Sequence, residues 1–455
     1  MNVSSEPVLL KRKAYQKLLD WKETSNGSTA ILVEGARRVG KSFLVESFAK
    51  NEYKSHIIID FGKASPSIKD LFINDLDNMD QFFEKLKALT GVWNMPVRES
   101  VLVFDEVQRF PRAREAIKYL VADGRYDYIE TGSLISIKEN VGDIIVPSEE
   151  ESVSLDPLDF EEYLEAVGKG RLHQFIVTSF RNREPMGEGI HREVMGEFRR
   201  YMLVGGMPQA VLKYIETGSY QDVDRVKRNI LSLYRNDIMK FANGYKSRVK
   251  AIFETIPSQL NKKEKKFSIT SITKNSRNRD YEDAFMWLDD GRIINQCFNS
   301  TDPSYGLNMS LDDSTHKCYM ADTGLLVTLS ISVNSVTEDD VYRSILVDRM
   351  NINEGMFMEN IVAQELHSNG HELFFYSRWD RENRENNMEI DFLIAIGTDI
   401  CPIEVKSSGK MNHVSLDKFC NKFGKRIGQS YLLGIKDLSV EEGFIRLPVY
   451  MAGLL

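Results

Sequence analysis

One segment constrains this chain more than any other: Ile31-Leu32-Val33-Glu34-Gly35-Ala36-Arg37-Arg38-Val39-Gly40-Lys41-Ser42. A short apolar run, Ala30 to Val33, ends in G-x-x-x-x-G-K-S, and helical periodicity resumes over Phe43 to Ala49. Strand, glycine-rich loop and helix in that order make an anion cradle. The glycines let the main chain turn with its N–H groups inward around phosphate. Lys41 offers a point charge to the β- and γ-phosphates, the Ser42 hydroxyl is placed to ligate Mg²⁺, and the following helix directs its positive dipole end at the anion. The expected nucleotide contacts are therefore Gly35, Ala36, Arg37, Arg38, Val39, Gly40, Lys41, Ser42 and Phe43, with ATP and Mg²⁺ as the implied ligands.

The flanking pattern agrees with such a loop. Ile57-Ile58-Ile59, Val101 to Phe104 and Tyr126 to Glu130 read as short buried strands, with Leu71 to Leu89 mostly helical between them. Apolar strands alternating with helices indicate α/β architecture, a parallel sheet covered on both faces. The third strand runs into Asp105-Glu106. A carboxylate at the tip of a buried strand is costly unless a cation compensates it. Asp105 is thus a candidate Mg²⁺ partner through water, and Glu106 a candidate for orienting or deprotonating the attacking water. After the next strand, Thr131 or Ser133 is placed to sense the γ-phosphate.

Beyond about residue 155 the pattern changes. Residues 158–240 read as almost wholly helical, broken at Gly205-Gly206-Met207-Pro208. A basic cluster, Lys262-Lys263-Glu264-Lys265-Lys266, precedes a mixed stretch with the strand-like IINQCF, which would suit a small winged-helix-like module. Further on, MFMENIVAQEL reads as an amphipathic helix, and ELFFYS, EIDFLIA and CPIEVKS as three successive strands. The expected divisions are 1–156, a P-loop core; 157–218, a helical lid; 219–312, the winged-helix-like region; and 313–455, a C-terminal α/β domain. In the last, twelve residues separate Asp391 from Glu404, and Lys406 follows two residues later on the same strand face. Two carboxylates beside a lysine suit a Mg²⁺ site for phosphodiester hydrolysis. Asp391 and Glu404 are the candidate metal ligands, Lys406 the candidate base or charge stabiliser, and Glu359 a further ligand.

The bulk properties exclude several classes. With 455 residues the chain exceeds one compact core. A net charge of −8 argues against a molecule coated in positive charge but leaves room for a local basic groove. The four cysteines, Cys297, Cys318, Cys401 and Cys420, lack zinc-knuckle spacing and fit a reducing cytoplasm. No stretch approaches the ~20 apolar residues of a membrane helix, and the N-terminus carries no secretory h-region. The expectation is a cytoplasmic protein without a membrane partner.

In order along the chain stand GARRVGKS, VLVFDEVQRFP, TGSLIS, SLDPLDFEEYL, YMLVGGMPQAV, YMADTGLL, GMFMENIVAQEL, EIDFLIA and IEVKSS. This series resembles the prokaryotic AAA-type P-loop ATPases that end in a restriction-endonuclease-like domain of poorly defined function. The resemblance implies an AAA-type sheet, a helical lid, a winged-helix-like middle and a PD-(D/E)xK-like C-terminal fold. It carries Gly40, Lys41 and Ser42 over as nucleotide ligands, Asp105 and Glu106 as the hydrolytic pair, and Asp391, Glu404 and Lys406 as the nuclease-like core. Relatives often place Gly-Arg before the S-L-x-P-L stretch; here Asp143 to Glu151 contains no arginine. The source of any arginine finger, and the dependence of hydrolysis on a homo-oligomer, are left open.

Three functions compete. The first is an ATP-regulated ATPase that acts on DNA and carries metal-dependent nuclease activity. The second is a nucleotide-dependent switch whose C-terminal domain binds DNA or protein without cutting. The third, a small-molecule P-loop kinase, is disfavoured by Asp105-Glu106 and by the helical segment after residue 155.

Overall fold

A computed structural model describes residues 10–134, 144–262, 264–273, 277–303, 306–331, 336–346, 354–380, 382–383, 387–407 and 412–455. Asp143 and Lys263, singled out above, lie outside these residues, as do the N-terminal nine. The chain divides into two compact units. One comprises Lys11–Asp156 with Asp290–Arg292, and the other is built chiefly from Pro157–Asp289 and Ile293–Leu455.

The first unit holds a five-stranded sheet: β1 (Ala30–Glu34), β2 (Ser55–Asp60), β3 (Ser100–Asp105), β4 (Asp127–Gly132) and β5 (Glu150–Ser154). Its order is β2-β3-β4-β1-β5, and every pairing is parallel. The central strands form because runs rich in aliphatic, β-branched and aromatic residues suit a sheet buried on both faces; the first five residues of β3 are buried, as are all six of β4, Asp127 and Glu130 among them. Leu32, Leu102 and Phe104 pack with Phe72 and Phe82 from two helices. Phe72 meets Phe82 edge-on at 5.2 Å and Phe104 at 5.5 Å, contacts that contribute about 0.5–1.5 kcal/mol each beyond area burial. The edge strand β5 was not expected from its residues. Its sequence, EESVS, lacks an apolar run and is only partly buried, as an outer strand can be.

The order matters because β1 sits between β4 and β5. The order in which strands are added to the sheet changes sense there, all strands remaining parallel, and open parallel sheets bind ligands at the carboxyl ends of such strands. Val33 aligns with Thr131 and Phe104 with Glu130, so the ends of β1, β3 and β4 lie level.

The second unit begins with helices Phe160–Ala166, Gly170–Asn182, Glu188–Val204, Pro208–Thr217, Tyr220–Phe241 and Lys246–Leu260. Gly205 and Gly206 break this run for a packing reason. A Cβ on Gly206 would come within 2.1 Å of the Leu158 carbonyl oxygen, and one on Gly324 within 2.5 Å of the Gly205 Cα. Asp322 ties the two places together by accepting from Gly206 N at 2.6 Å and Leu325 N at 2.7 Å. The motifs around Gly205 and Asp322 are thus halves of one joint.

An eight-stranded mixed sheet follows: β6 (Ile294–Ser300), β7 (Leu311–Met320), β8 (Phe374–Arg378), β9 (Met388–Ile396), β10 (Asp399–Val405), β11 (Tyr431–Gly434), β12 (Ser439–Glu441) and β13 (Phe444–Pro448), in the order β12-β13-β11-β10-β9-β8-β6-β7. This alters two expectations. The strand-like IINQCF does not form a wing of a separate module: it pairs with β7 and β8 within this sheet. The expected boundary between 312 and 313 falls inside β7. The helix read as amphipathic, Glu354–Ser368, is buried on every side from Met356 to Leu366. Its polar residues face partners in the interior: Asn360 bonds both main-chain groups of Met320, and Gln364 accepts from Thr323 N at 2.8 Å.

Candidate functional sites

In the first unit the loop after β1 leads to helix Lys41–Glu52. Gly35 permits its close approach to the sheet: a Cβ there would lie 2.3 Å from the Leu155 carbonyl oxygen. Gly40, at φ +102°, opens the helix in a conformation that favours glycine. Lys41 is buried, and its Nζ donates to the carbonyls of Gly35 at 2.8 Å and Ala36 at 2.9 Å. Burial lowers its pKa from the usual lysine value to about 8, against the pull of Glu106 and Asp105. The ammonium is thus costly where it stands, and main-chain dipoles are its nearest acceptors.

Around it the expected residues meet. Ser42 Oγ donates to Asp105 Oδ1 at 2.9 Å, and Thr131 Oγ1 donates to the same oxygen while accepting from Glu106 N at 3.3 Å. Thr131, rather than Ser133, makes this contact to Asp105. Glu106 has φ +58°, uncommon for a non-glycine residue and a feature that clusters at functional sites. Its carboxylate accepts from Gln108 at 3.0 Å and lies 3.6 Å from Arg109. Ala36 and Val39 are buried within the loop, and the Phe43 ring is exposed. Arg12 braces the cradle by donating to the carbonyls of Val39 at 3.1 Å and Asp156 at 2.6 Å. Arg292 reaches Glu34 at 2.7 Å, next to the start of the loop. These residues fit Mg²⁺ and a triphosphate: the Ser42 hydroxyl and an Asp105 carboxylate oxygen are in contact, beside the Lys41 ammonium.

Behind β4, Glu130 is fully buried and its pKa is raised well above the carboxylate range by burial and by Glu150. Glu150 in turn takes a two-pronged bond from Arg114, at 3.0 and 2.6 Å. Sequence reading missed this cluster because it depends on the unanticipated β5.

In the second unit Asp391 and Glu359 also come together, but around a lysine. Lys317 of β7, with no exposed side-chain surface, places Nζ 3.2 Å from Glu359 Oε1, 3.0 Å from Glu389 Oε1 and 3.6 Å from Asp391 Oδ1. Burial alone would lower Lys317, yet the three carboxylates hold its pKa well above the lysine value. Burial would raise Glu359, yet Lys317 and Lys265 bring it down to about 2. Asp391, pushed by burial and then by Glu359, rises to about 6. Tyr319 and Lys265 also donate to Glu359, and Val405 N donates to Asp391 Oδ2 at 2.8 Å. The antiparallel register pairs Ile403 with Phe392 and, extended by one residue, sets Glu404 opposite Asp391. The Glu404 carboxylate itself is engaged by Lys406, which lies just past the end of β10.

Asp391 and Glu359, expected as metal ligands, are each held by lysine or a main-chain N–H, and Glu404, also expected as one, is held by Lys406 through Oε1 while its buried Oε2 has no hydrogen-bond partner; with the Lys317 ammonium among the carboxylates, the centre does not fit a divalent ion. Among the described residues no group of three or more His, Cys, Asp or Glu side chains forms a metal site. Lys317, Lys265, Glu389 and Tyr319 were missed in the sequence. Lys265 stands there only as one member of the basic cluster, and the stretch holding Lys317 and Tyr319 is not singled out.

Residues 27–164 match the AAA domain model. Residues 195–336 and 354–450 match two domains of unknown function, DUF8612 and DUF4143. No curated protein matches the chain in sequence. Solved structures with some likeness include the Orc1 protein of Aeropyrum pernix in complex with DNA, 12% identical over 72% of this chain and 94% of that one, at a TM-score of 0.27. Another is Cdc6p of Pyrobaculum aerophilum, 10% identical over 77% and 98%, at 0.29. A third is a signal-transduction ATPase with a tetratricopeptide repeat sensor from Pyrococcus horikoshii, 12% identical over 80% and 46%, at 0.27. Superpositions this loose carry no argument. The matched model, the parallel sheet and the loop after β1 define the first unit as a P-loop domain of the AAA ATPase class. Among the described residues, no helix is long and apolar enough to cross a membrane.

Proposed function

We propose that this chain is an ATP-binding and ATP-hydrolysing switch that acts on DNA, with a second unit that binds without cutting. The arrangement of Lys41 carries the nucleotide part. Its ammonium rests on two loop carbonyls, buried and with a lowered pKa, and a triphosphate would give it stronger acceptors without moving the loop. Mg²⁺ would be held by Ser42, with Asp105 acting through water, and would supply charge neutralisation at the phosphates. Thr131 holds Asp105 in place. Glu106 is the general-base candidate, freed from Gln108 when a water is available to it.

The DNA part has support in the second unit. A groove of about 470 Å³ is lined by Lys262, Lys266, Ser268, Thr270, Ser314 and Thr315 together with the apolar Phe267 and Ile269, and with Glu264 as its acidic member. Ammonium and hydroxyl groups together suit contacts to the phosphodiester backbone. In a chain of net charge −8, such a patch runs against the overall sign. The non-cleaving reading is favoured over a metal-dependent nuclease by Lys317, whose ammonium lies among the carboxylates that a metal would need.

The test is phosphate release and DNA binding by the wild type, Lys41→Ala and Glu106→Gln. The wild type should release phosphate from ATP without any acceptor, and both variants should not. DNA should be bound with a salt-dependent affinity and left intact in Mg²⁺ or Mn²⁺. Cleavage that Asp391→Ala abolishes would replace the switch by a nuclease, and absence of hydrolysis in the wild type would remove the ATPase reading.

A further inference from the structure

Two elements bring three carboxylates to one point: Glu359 from helix Glu354–Ser368, and Glu389 and Asp391 from β9. The Glu359 side chain there is nearly buried, that of Asp391 19% exposed and that of Glu389 32% exposed, and carboxylate oxygens are the ligands a hard divalent cation takes. Lys317 stands at that point, 3.0 to 3.6 Å from all three.

We propose that Lys317 is the resident cation of this centre, standing where a divalent ion would be held, so that the native chain takes no Mg²⁺ or Mn²⁺ there. Metal ligation requires carboxylate oxygens at roughly 2.0–2.6 Å from the ion. An ion so placed would lie against the ammonium, and Lys317 has no exposed surface toward which to retreat. The oxygens are already served. Glu359 Oε1 accepts from Lys317 and Tyr319, Glu359 Oε2 from Lys265, and Asp391 Oδ2 from Val405 N. A metal would displace these donors and leave a buried ammonium unpaired, which is strongly unfavourable. Three carboxylates face two ammonium groups, Lys317 and Lys265, and Glu404 is matched separately by Lys406. The proposal stands apart from the nucleotide site.

Its corollary is a latent metal site. Lys317→Met keeps the aliphatic stem and removes the charge, exposing the three carboxylates to one another. Mn²⁺ is titrated into the nucleotide-free full chain and free ion is followed by electron paramagnetic resonance, with Asp391→Asn in parallel. The expected result is one curve for both proteins. Lys317→Met should gain a single Mn²⁺ site at least tenfold tighter than anything in the wild type, lost again in Lys317→Met/Asp391→Asn. A wild-type Mn²⁺ site removed by Asp391→Asn overturns the proposal, and so does a folded Lys317→Met with no gained site. Should Lys317→Met not fold, the wild type and Asp391→Asn decide by themselves.

Discussion

Each unit buries one lysine at its candidate site, and the two lysines are held in opposite ways. Lys41 rests on two neutral carbonyls and its pKa falls to about 8. Lys317 is surrounded by carboxylates and its pKa rises. A buried cation whose hydrogen bonds go only to main-chain dipoles gains from an arriving anion, whereas one already ion-paired gains little. The comparison separates a lysine held by neutral acceptors from one enclosed by acids. Residue type does not separate them, since each places a lysine near two or more acids.

The sharpest way to break the comparison is to replace both lysines by methionine and measure unfolding without nucleotide. Lys317→Met should cost about 3–5 kcal/mol, because it leaves buried carboxylates without their cation. Lys41→Met should cost under about 1 kcal/mol, because it removes a charge that burial already penalises. Equal costs would erase the distinction. Next in size, Lys41→Ala should lower ATP hydrolysis by about 100-fold or more, the scale of losing one charge-stabilising group in a water-poor site. Phosphate release by Lys317→Met, where folded, should stay within about threefold of the wild type, far inside the about 1.4 kcal/mol that corresponds to tenfold.

The acids around Lys317 give a pH signature. Asp391, raised to about 6, binds more protons folded than unfolded between its usual range and pH 6, so its contribution falls as pH rises through that window. Glu359, lowered to about 2, works oppositely: its contribution is present above the usual glutamate range and is lost as pH drops toward 2. Each slope approaches about 1.4 kcal/mol per pH unit at most. Urea unfolding between pH 3 and 7 should lose the falling limb in Asp391→Asn and the rising limb in Glu359→Gln. A smaller loss of hydrolysis than at Lys41 is expected at Thr131→Val, which keeps the shape and removes the donor to Asp105. Hydrolysis should fall by about tenfold, or about 1.4 kcal/mol, with stability nearly unchanged.

The sequence was legible where chemistry is local. Gly35 to Ser42 is one contiguous piece whose job depends on backbone turns, and Asp105 and Thr131 end strands whose apolar runs announce them. It was less legible where partners come from afar. β5 was hidden because an edge strand needs no apolar run, and with it went the Glu130, Glu150 and Arg114 cluster. The helix Glu354–Ser368 looked amphipathic because its polar residues suggested solvent, yet Glu359, Asn360 and Gln364 face buried partners. Lys317 was invisible for the same reason: its three carboxylates lie 42, 72 and 74 residues away in sequence, and no spacing rule reaches so far.

The central claim is that Lys41 and its loop form a triphosphate cradle. Titration calorimetry of ATP into the full chain with Mg²⁺, beside Lys41→Ala, tests it most directly. The account predicts one ATP per chain with an affinity of about micromolar, some 8 kcal/mol, and a loss of at least about tenfold in the variant. No heat and no binding of any nucleoside triphosphate by the wild type, or equal affinity in the variant, would contradict it.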